Sequence, residues 1–257
     1  MLGLNERIER SLLKIFLSVL GLILLLGAVG YFGSSVFRAW QVRRLLAEAN
    51  TLINEGDYKH ASLDAQHVLE LSPENADATR VIARSAESAG LRRAIEFWRR
   101  VTELSKNAEG DLSAWAHCAV RFGDADSASK ALDAMPAPAK ETADYHALRG
   151  DVALIRHDLV GYEKELLEAK RRDPQDKKYN LALATLHVAA NDFATHEAGV
   201  RELLDLSDDK SFHRDAMHRL ADDALRRKQI TRALEYARDL DSLSNRDSPI
   251  VSFCFRA

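Results

Sequence analysis

The sequence is poor in the residues that interrupt or staple a chain. Only 5 prolines and 12 glycines serve 257 residues, and aromatics make up 7%. Few turn formers, beside plentiful Ala, Leu, Arg, Glu and Asp, argue for helices over strands. The two cysteines, Cys118 and Cys254, lie far apart. They exclude a disulfide framework and a CxxC metal or redox motif, and leave the compartment open. The net charge of −3 excludes a global basic field for nucleic acid.

Chemistry-bearing motifs are missing as well. The sequence holds no Walker loop, GxGxxG element, GxSxG elbow or HExxH pair. Of the 9 histidines, His213 and His218 are five apart and fall on different sides of a helix. His60 and His67 share one face of an ordinary helix, and His117 points away from its neighbour Cys118, which fits a small buried residue. Acidic pairs at 208–209 and 222–223, and arginine pairs at 92–93, 99–100, 171–172 and 226–227, read as solvated helix faces. No catalysis, metal or cofactor is expected, and the interleaved charge signs argue against a nucleic-acid groove.

One long uncharged run is present. IFLSVLGLILLLGAVGYFGSSVF, Ile15 to Phe37, lies between Lys14 and Arg38. At about 1.5 Å per residue it can cross a hydrocarbon core of roughly 30 Å. A cleaved signal peptide is the competing reading, with Ala28 and Gly30 suited to a cut. The apolar run continues through Tyr31, Phe32, Val36 and Phe37, however, and Glu6 and Glu9 sit among the leading basic residues, which favours an uncleaved anchor. Arg7, Arg10, Lys14 and the amino terminus precede the span, and Arg38, Arg43 and Arg44 follow it. The balance leans slightly to an inside N-terminus, with the remainder on the translocated, periplasmic side.

After residue 40 a pattern recurs. Leu45, Ala49 and Leu52 form an apolar stripe ended by Gly56, and Tyr58, Ala61, Ala65 and Val68 form a second one closed by Pro73. This helix–turn–helix of about 34 residues is too small to bury its own apolar face. Gly150, the turn HDL at 157–159, Ala169 and Pro174 repeat the spacing. So do Ala184 with NDF at 191–193, Val200 and Leu203, and Ala221 with KQI at 228–230, Ala233, Ala237 and Leu240. Two imperfect copies lie between. One has Ala83, Gly90, Ala94, Trp98 and Val101, with Lys106 in place of the proline. The other has Trp115, Ala119, Phe122, GDAD at 123–126, Ala128, Ala131, Leu132, Met135 and Pro136. The larger residues Tyr58, Phe97, Trp98, Trp115, Phe122 and Phe193 are expected to fill space between hairpins.

These residues resemble the tetratricopeptide repeat (TPR) family, most closely in ANTLINEGDYKHASLDAQHVLELSP at 49–73. The resemblance implies an all-α fold, a right-handed solenoid of about six TPR-like hairpins, and the uncharged 15–37 run places one transmembrane helix before it. The expected organisation is a tail at 1–14, the span at 15–37, repeats at 38–242 and a C-terminal tail at 243–257. That tail carries Ile250, Val251, Phe253 and Phe255. It reads equally as a segment docked on the last hairpin, as a truncation, or as the start of further repeats.

In such a solenoid the first helices of the hairpins form the usual partner surface. Here that face would carry Arg43, Asn50, Arg80, Arg84, Asp144, Asp151, Lys178, Asp215, His218 and Asp222. Some family members hold a partner peptide's C-terminal carboxylate in a lysine/asparagine/arginine clamp. Asn50, Arg80 and Arg84 match parts of it, while Leu46 stands where the first basic residue would be. The expected function is a membrane-anchored scaffold or adaptor that binds a protein or peptide of unknown identity. The alternatives are an envelope-assembly or secretion accessory factor with translocated repeats, and the N-terminal portion of a larger protein whose effector domain lies beyond residue 257.

Overall fold

The computed structural model describes residues 36–244. Twelve α-helices and no strand occur among them: α1 (36–55), α2 (Tyr58–Leu71), α3 (Ala76–Ser88), α4 (Ala94–Leu104), α5 (Glu109–Arg121), α6 (Ala125–Asp133), α7 (Ala143–Ile155), α8 (Leu159–Arg172), α9 (Lys178–Val188), α10 (Phe193–Ser207), α11 (His213–Arg226) and α12 (Ile230–Ser244). They pair in order as six hairpins, whose turns fall at the glycine, HDL, NDF and KQI positions expected from the sequence. The chain separates into two compact units at Lys106/Asn107, where both residues take left-handed φ values of 55° and 60°. The first unit carries α1–α4 and the second α5–α12.

The hairpins are made by a local device. In five turns one residue adopts a left-handed conformation: Gly56 (φ 81°), Gly90 (68°), Gly123 (68°), His157 (61°) and Lys228 (59°). That twist lets the next backbone N–H reach the carbonyl five residues back. Asp57 reaches Leu52 at 2.8 Å, Asp124 reaches Ala119 at 2.8 Å and Asp158 reaches Ala153 at 2.9 Å, which satisfies carbonyls left over at the helix end. The same three aspartates then begin the next helix. Their carboxylates accept the N–H groups of His60 (3.1 Å), Ser127 (3.0 Å) and Gly161 (2.9 Å). Asp192 caps α10 in the same way, through the N–H of Thr195 at 2.8 Å.

The fifth hairpin closes differently. No residue of its turn, Ala189 to Asp192, has positive φ among the described residues. Its helices are pressed together instead: a Cβ on the buried Gly199 would lie 2.6 Å from the backbone nitrogen of Val188, so glycine is required there.

Small residues fill the first unit's core, where Ala49, Ala61, Ala65 and Ala78 are fully buried beside Val68, Val81 and Ile82. Trp98 and Trp115 are buried as expected, whereas Phe193 is 77% exposed. It is the first residue of α10, ahead of the turn that packs on α9, and it fills no space between hairpins. In the second unit one cluster joins Ala184, Val188 and Leu203 to Ala216, Met217 and Leu220, and another joins Leu166 and Ala169 to Tyr179 and Leu183.

Of the apolar 15–37 run, Val36 and Phe37 are helical and the remainder lies outside the described residues, as does the tail from residue 245. No described helix is long and apolar enough to cross a membrane.

Lys228 holds a left-handed conformation that disfavours a Cβ. Lys228→Gly removes this strain and is expected to stabilise the chain by up to about 1 kcal/mol after the added freedom of the unfolded chain is subtracted. A higher denaturant midpoint at unchanged slope is the expected reading.

Candidate functional site

The second unit brings the first helices α5, α7, α9 and α11 into a graded charged face. His117 on α5 places Nε2 3.2 Å from Asp144 Oδ2 on α7, and the Ser113 hydroxyl donates to the same oxygen at 3.5 Å. The bond to His117, opposed by desolvation and aided by the charges of His117 and Lys178, holds the Asp144 carboxyl below its ordinary range. Lys178 pairs with Asp176 at 2.8 Å and lies over the Tyr179 ring at 4.9 Å. His218 lies 3.4 Å from Asp222, one turn along α11.

Asp151 stands apart from these pairs. It is half-buried on α7, one residue after Gly150, and makes no hydrogen bond or ion pair among the described residues. Burial, more than the nearby Asp144 charge, raises its pKa, and His117 only partly offsets this. Tyr162, packed at the Gly150 crossing, is also raised by burial, then by the Asp151 charge, with Arg219 of α11 acting against the rise. Between α9 and α11 lies a cavity of about 480 Å³ lined by Thr185, Val188, Ala189, Arg219, Asp222, Leu225 and Arg226.

The expected residues divide between the units. Asp151, His218 and Asp222, with Asp144, Lys178 and Asp215, lie on first helices of the second unit. Arg43, Asn50, Arg80 and Arg84 lie on α1 and α3 of the first. There Asn50 turns its amide back to the Leu46 carbonyl at 2.9 Å, and Arg80 is held by Asp77 one turn away, so two of the three clamp-like residues are engaged within their own helices. Thr185, Arg219 and Arg226 were not singled out from the sequence. Arg219 and Arg226 sit three before and four after Asp222, and that spacing was the available signal.

The acidic pair 222–223 is not a solvated face throughout. Asp223 is 6% exposed. It lies 2.8 Å from Nε2 of the buried His196 and accepts from Arg227 at 3.2 Å. Arg227 in turn donates to the carbonyls of Val188 (3.3 Å) and Ala190 (2.9 Å), the end of α9 that lacks a left-handed turn. A four-residue step along α11 thus ties the sixth hairpin to both helices of the fifth. Arginine pairs are mixed as well: Arg171 is exposed, whereas Arg172 is half-buried against Glu141 and Glu168. Cys118 is buried and His117 exposed, as their adjacency implies. No group of three or more His, Cys, Asp and Glu fit to hold a metal ion occurs among the described residues.

No protein-family model and no curated protein matches the sequence. Solved structures do match in fold. PilW, described as a widely conserved type IV pilus biogenesis factor, is similar at 15% identity and TM-score 0.62, over 81% of this chain and 95% of that one. PilF of Pseudomonas aeruginosa gives 14% identity and TM-score 0.57, over 80% and 93%. MamA of Desulfovibrio magneticus RS-1 gives 15% and 0.57, over 64% and 92%. At such identities the likeness concerns the fold: the chain is a TPR-like helical-repeat protein.

Two outcomes test this geometry. Asp223→Ala takes the carboxylate from the buried His196 and from Arg227, which keeps only its carbonyl partners, and is expected to cost about 3 kcal/mol, whereas Asp222→Ala next to it stays within about 0.5 kcal/mol in the same melts. For Asp151 the sign is opposite. A carboxyl whose folded pKa is raised penalises the fold once ionised, a penalty present above the folded pKa and gone below the ordinary aspartate value. Asp151→Asn should therefore raise Tm at pH 7 and leave it unchanged at pH 3.

Proposed function

We propose that this chain is a non-catalytic scaffold, held at a membrane through residues 15–37, that binds a protein segment on the first-helix face of its second unit. One observation carries the reading: Asp151. A half-buried carboxylate without hydrogen-bond or ion-pair partner is unfavourable for the free fold, and a cationic group of a bound segment would supply what is missing. Arg219 and the neighbouring cavity at Thr185 and Asp222 offer the next contacts along the same face. The TPR-like fold supports the reading, since stacked hairpins present a preformed surface at little ordering cost. The clamp-like residues of the first unit contribute less, because Asn50 and Arg80 are already engaged.

A second, narrower reading is an accessory role in envelope or pilus assembly, with the repeats on the translocated side. The likeness to PilW and PilF and the slight charge asymmetry around the 15–37 run favour it.

Photo-crosslinking in the native host tests the surface. A benzophenone side chain at Thr185 or Asp222 is expected to give a discrete protein adduct, and one at the exposed Arg201 on α10 none. Adducts from all three positions alike, or from none, reject the assigned face. Alkaline extraction tests the anchor: the full chain should stay with the membrane pellet and a chain lacking 1–37 should leave it.

A further inference from the structure

The first unit holds a groove that the proposed function does not use. It has a volume of about 640 Å³, within the range of ligand-sized sites, and lies among α2, α3 and the start of α4. Its floor and walls are apolar: Leu63 of α2, Ile82 and Ala86 of α3, Leu91 of the turn and Phe97 of α4. Leu63 is 53% exposed and Leu91 39%, so two large aliphatic side chains on one groove stand open to solvent.

The rim gives the groove its sign. Lys59 and Arg93 both line it, both are exposed, and neither side chain makes a hydrogen bond or ion pair among the described residues, although the Lys59 charge acts on the nearby Asp57. The Tyr58 hydroxyl is likewise without a hydrogen bond. Asp57 is the one carboxylate on the lining, and it is already committed. It caps α2 through the His60 N–H and lies 2.6 Å from His60 Nδ1. What remains available is an apolar trough edged by two cations.

We propose that this groove docks an acidic amphipathic segment of a partner protein, with a large apolar side chain between Leu63 and Phe97 and carboxylates beside it meeting Lys59 and Arg93. The charge complementarity selects this occupant. A basic segment would bring like charges to both ends of the trough, and a neutral one would leave both cations unanswered. The site lies wholly in the first unit and stands or falls apart from the face proposed on the second.

The test uses the full chain carried in neutral phosphatidylcholine nanodiscs. Two fluorescein-labelled peptides are compared by anisotropy on a chain carrying Asp151→Asn and Asp222→Ala, which removes the carboxylates the second unit would offer to a cationic segment: one peptide alternates Glu with Leu and Phe, the other has Lys in place of each Glu. The acidic peptide is expected to bind at least about tenfold tighter. Lys59→Glu combined with Arg93→Glu should reverse the preference, and Leu63→Asp, at an exposed position where folding is retained, should weaken the acidic peptide by about tenfold or more. Restoring Asp151 and Asp222 on the second unit should leave the acidic peptide's affinity unchanged. Equal binding of the two peptides overturns the proposal, as does an affinity for the acidic peptide that the rim variants leave untouched. A short-chain phosphatidylserine monomer that binds through the same cations while the peptide does not overturns it in favour of an anionic lipid.

Discussion

The structure depends on a shared turn in which one residue twists left and the next serves two helices at once. Asp57, Asp124 and Asp158 each send a backbone N–H back to the closing helix and a carboxylate forward to the opening one. Because one residue performs both tasks, the turn has little slack, and the two helices leave it at a set angle. Alanine at the crossings, such as Ala49 and Ala61, then lets the helices meet closely. Hairpins built this way are specified locally, and the fifth, which lacks the shared turn, is the exception that leans on Arg227.

Much of this was legible because it is local. The glycine–aspartate pairs, the closing prolines and the small residues at fixed spacing carry the hairpins, and each turn was placed from them. What escaped was what depends on neighbours across hairpins. Asp223 looks the same as Asp222 in the sequence, yet one is buried against His196 and the other faces water, because helix phase alone separates adjacent residues. His196 occupies the place on its second helix that Ala61 and Ala233 occupy on theirs, so a small-residue pattern could not predict a buried histidine there. Phe193 matched an aromatic position of the repeat and still lies in solvent, since the packing it would need is not offered by the neighbouring turn. Of the candidate site, Asp151 and Asp222 could be named from the repeat register; the free state of the one and the cavity beside the other could not.

The charges of the chain sort by whether they are answered. Asp144 has His117 and Ser113, Lys178 has Asp176, Arg80 has Asp77, and such pairs add little to stability at exposed positions. Among the described residues, groups without such a partner in a concave or apolar setting are more telling: Asp151 and Arg219 on the second unit, Lys59 and Arg93 on the first.

The bond from Arg227 to the end of α9 has a consequence for how the chain comes apart. In an ideal stack of hairpins the last one can fray away and leave its neighbour whole, since each unit contributes independently apart from its interface. Here the neighbour lacks its own left-handed closure and borrows one from the next hairpin. If α11 peels off, the carbonyls of Val188 and Ala190 lose their donor and His196 loses its carboxylate in the same event. The fifth and sixth hairpins therefore open together, and amides on α9 and α10 should exchange with solvent at the rate of α11, as one cooperative block.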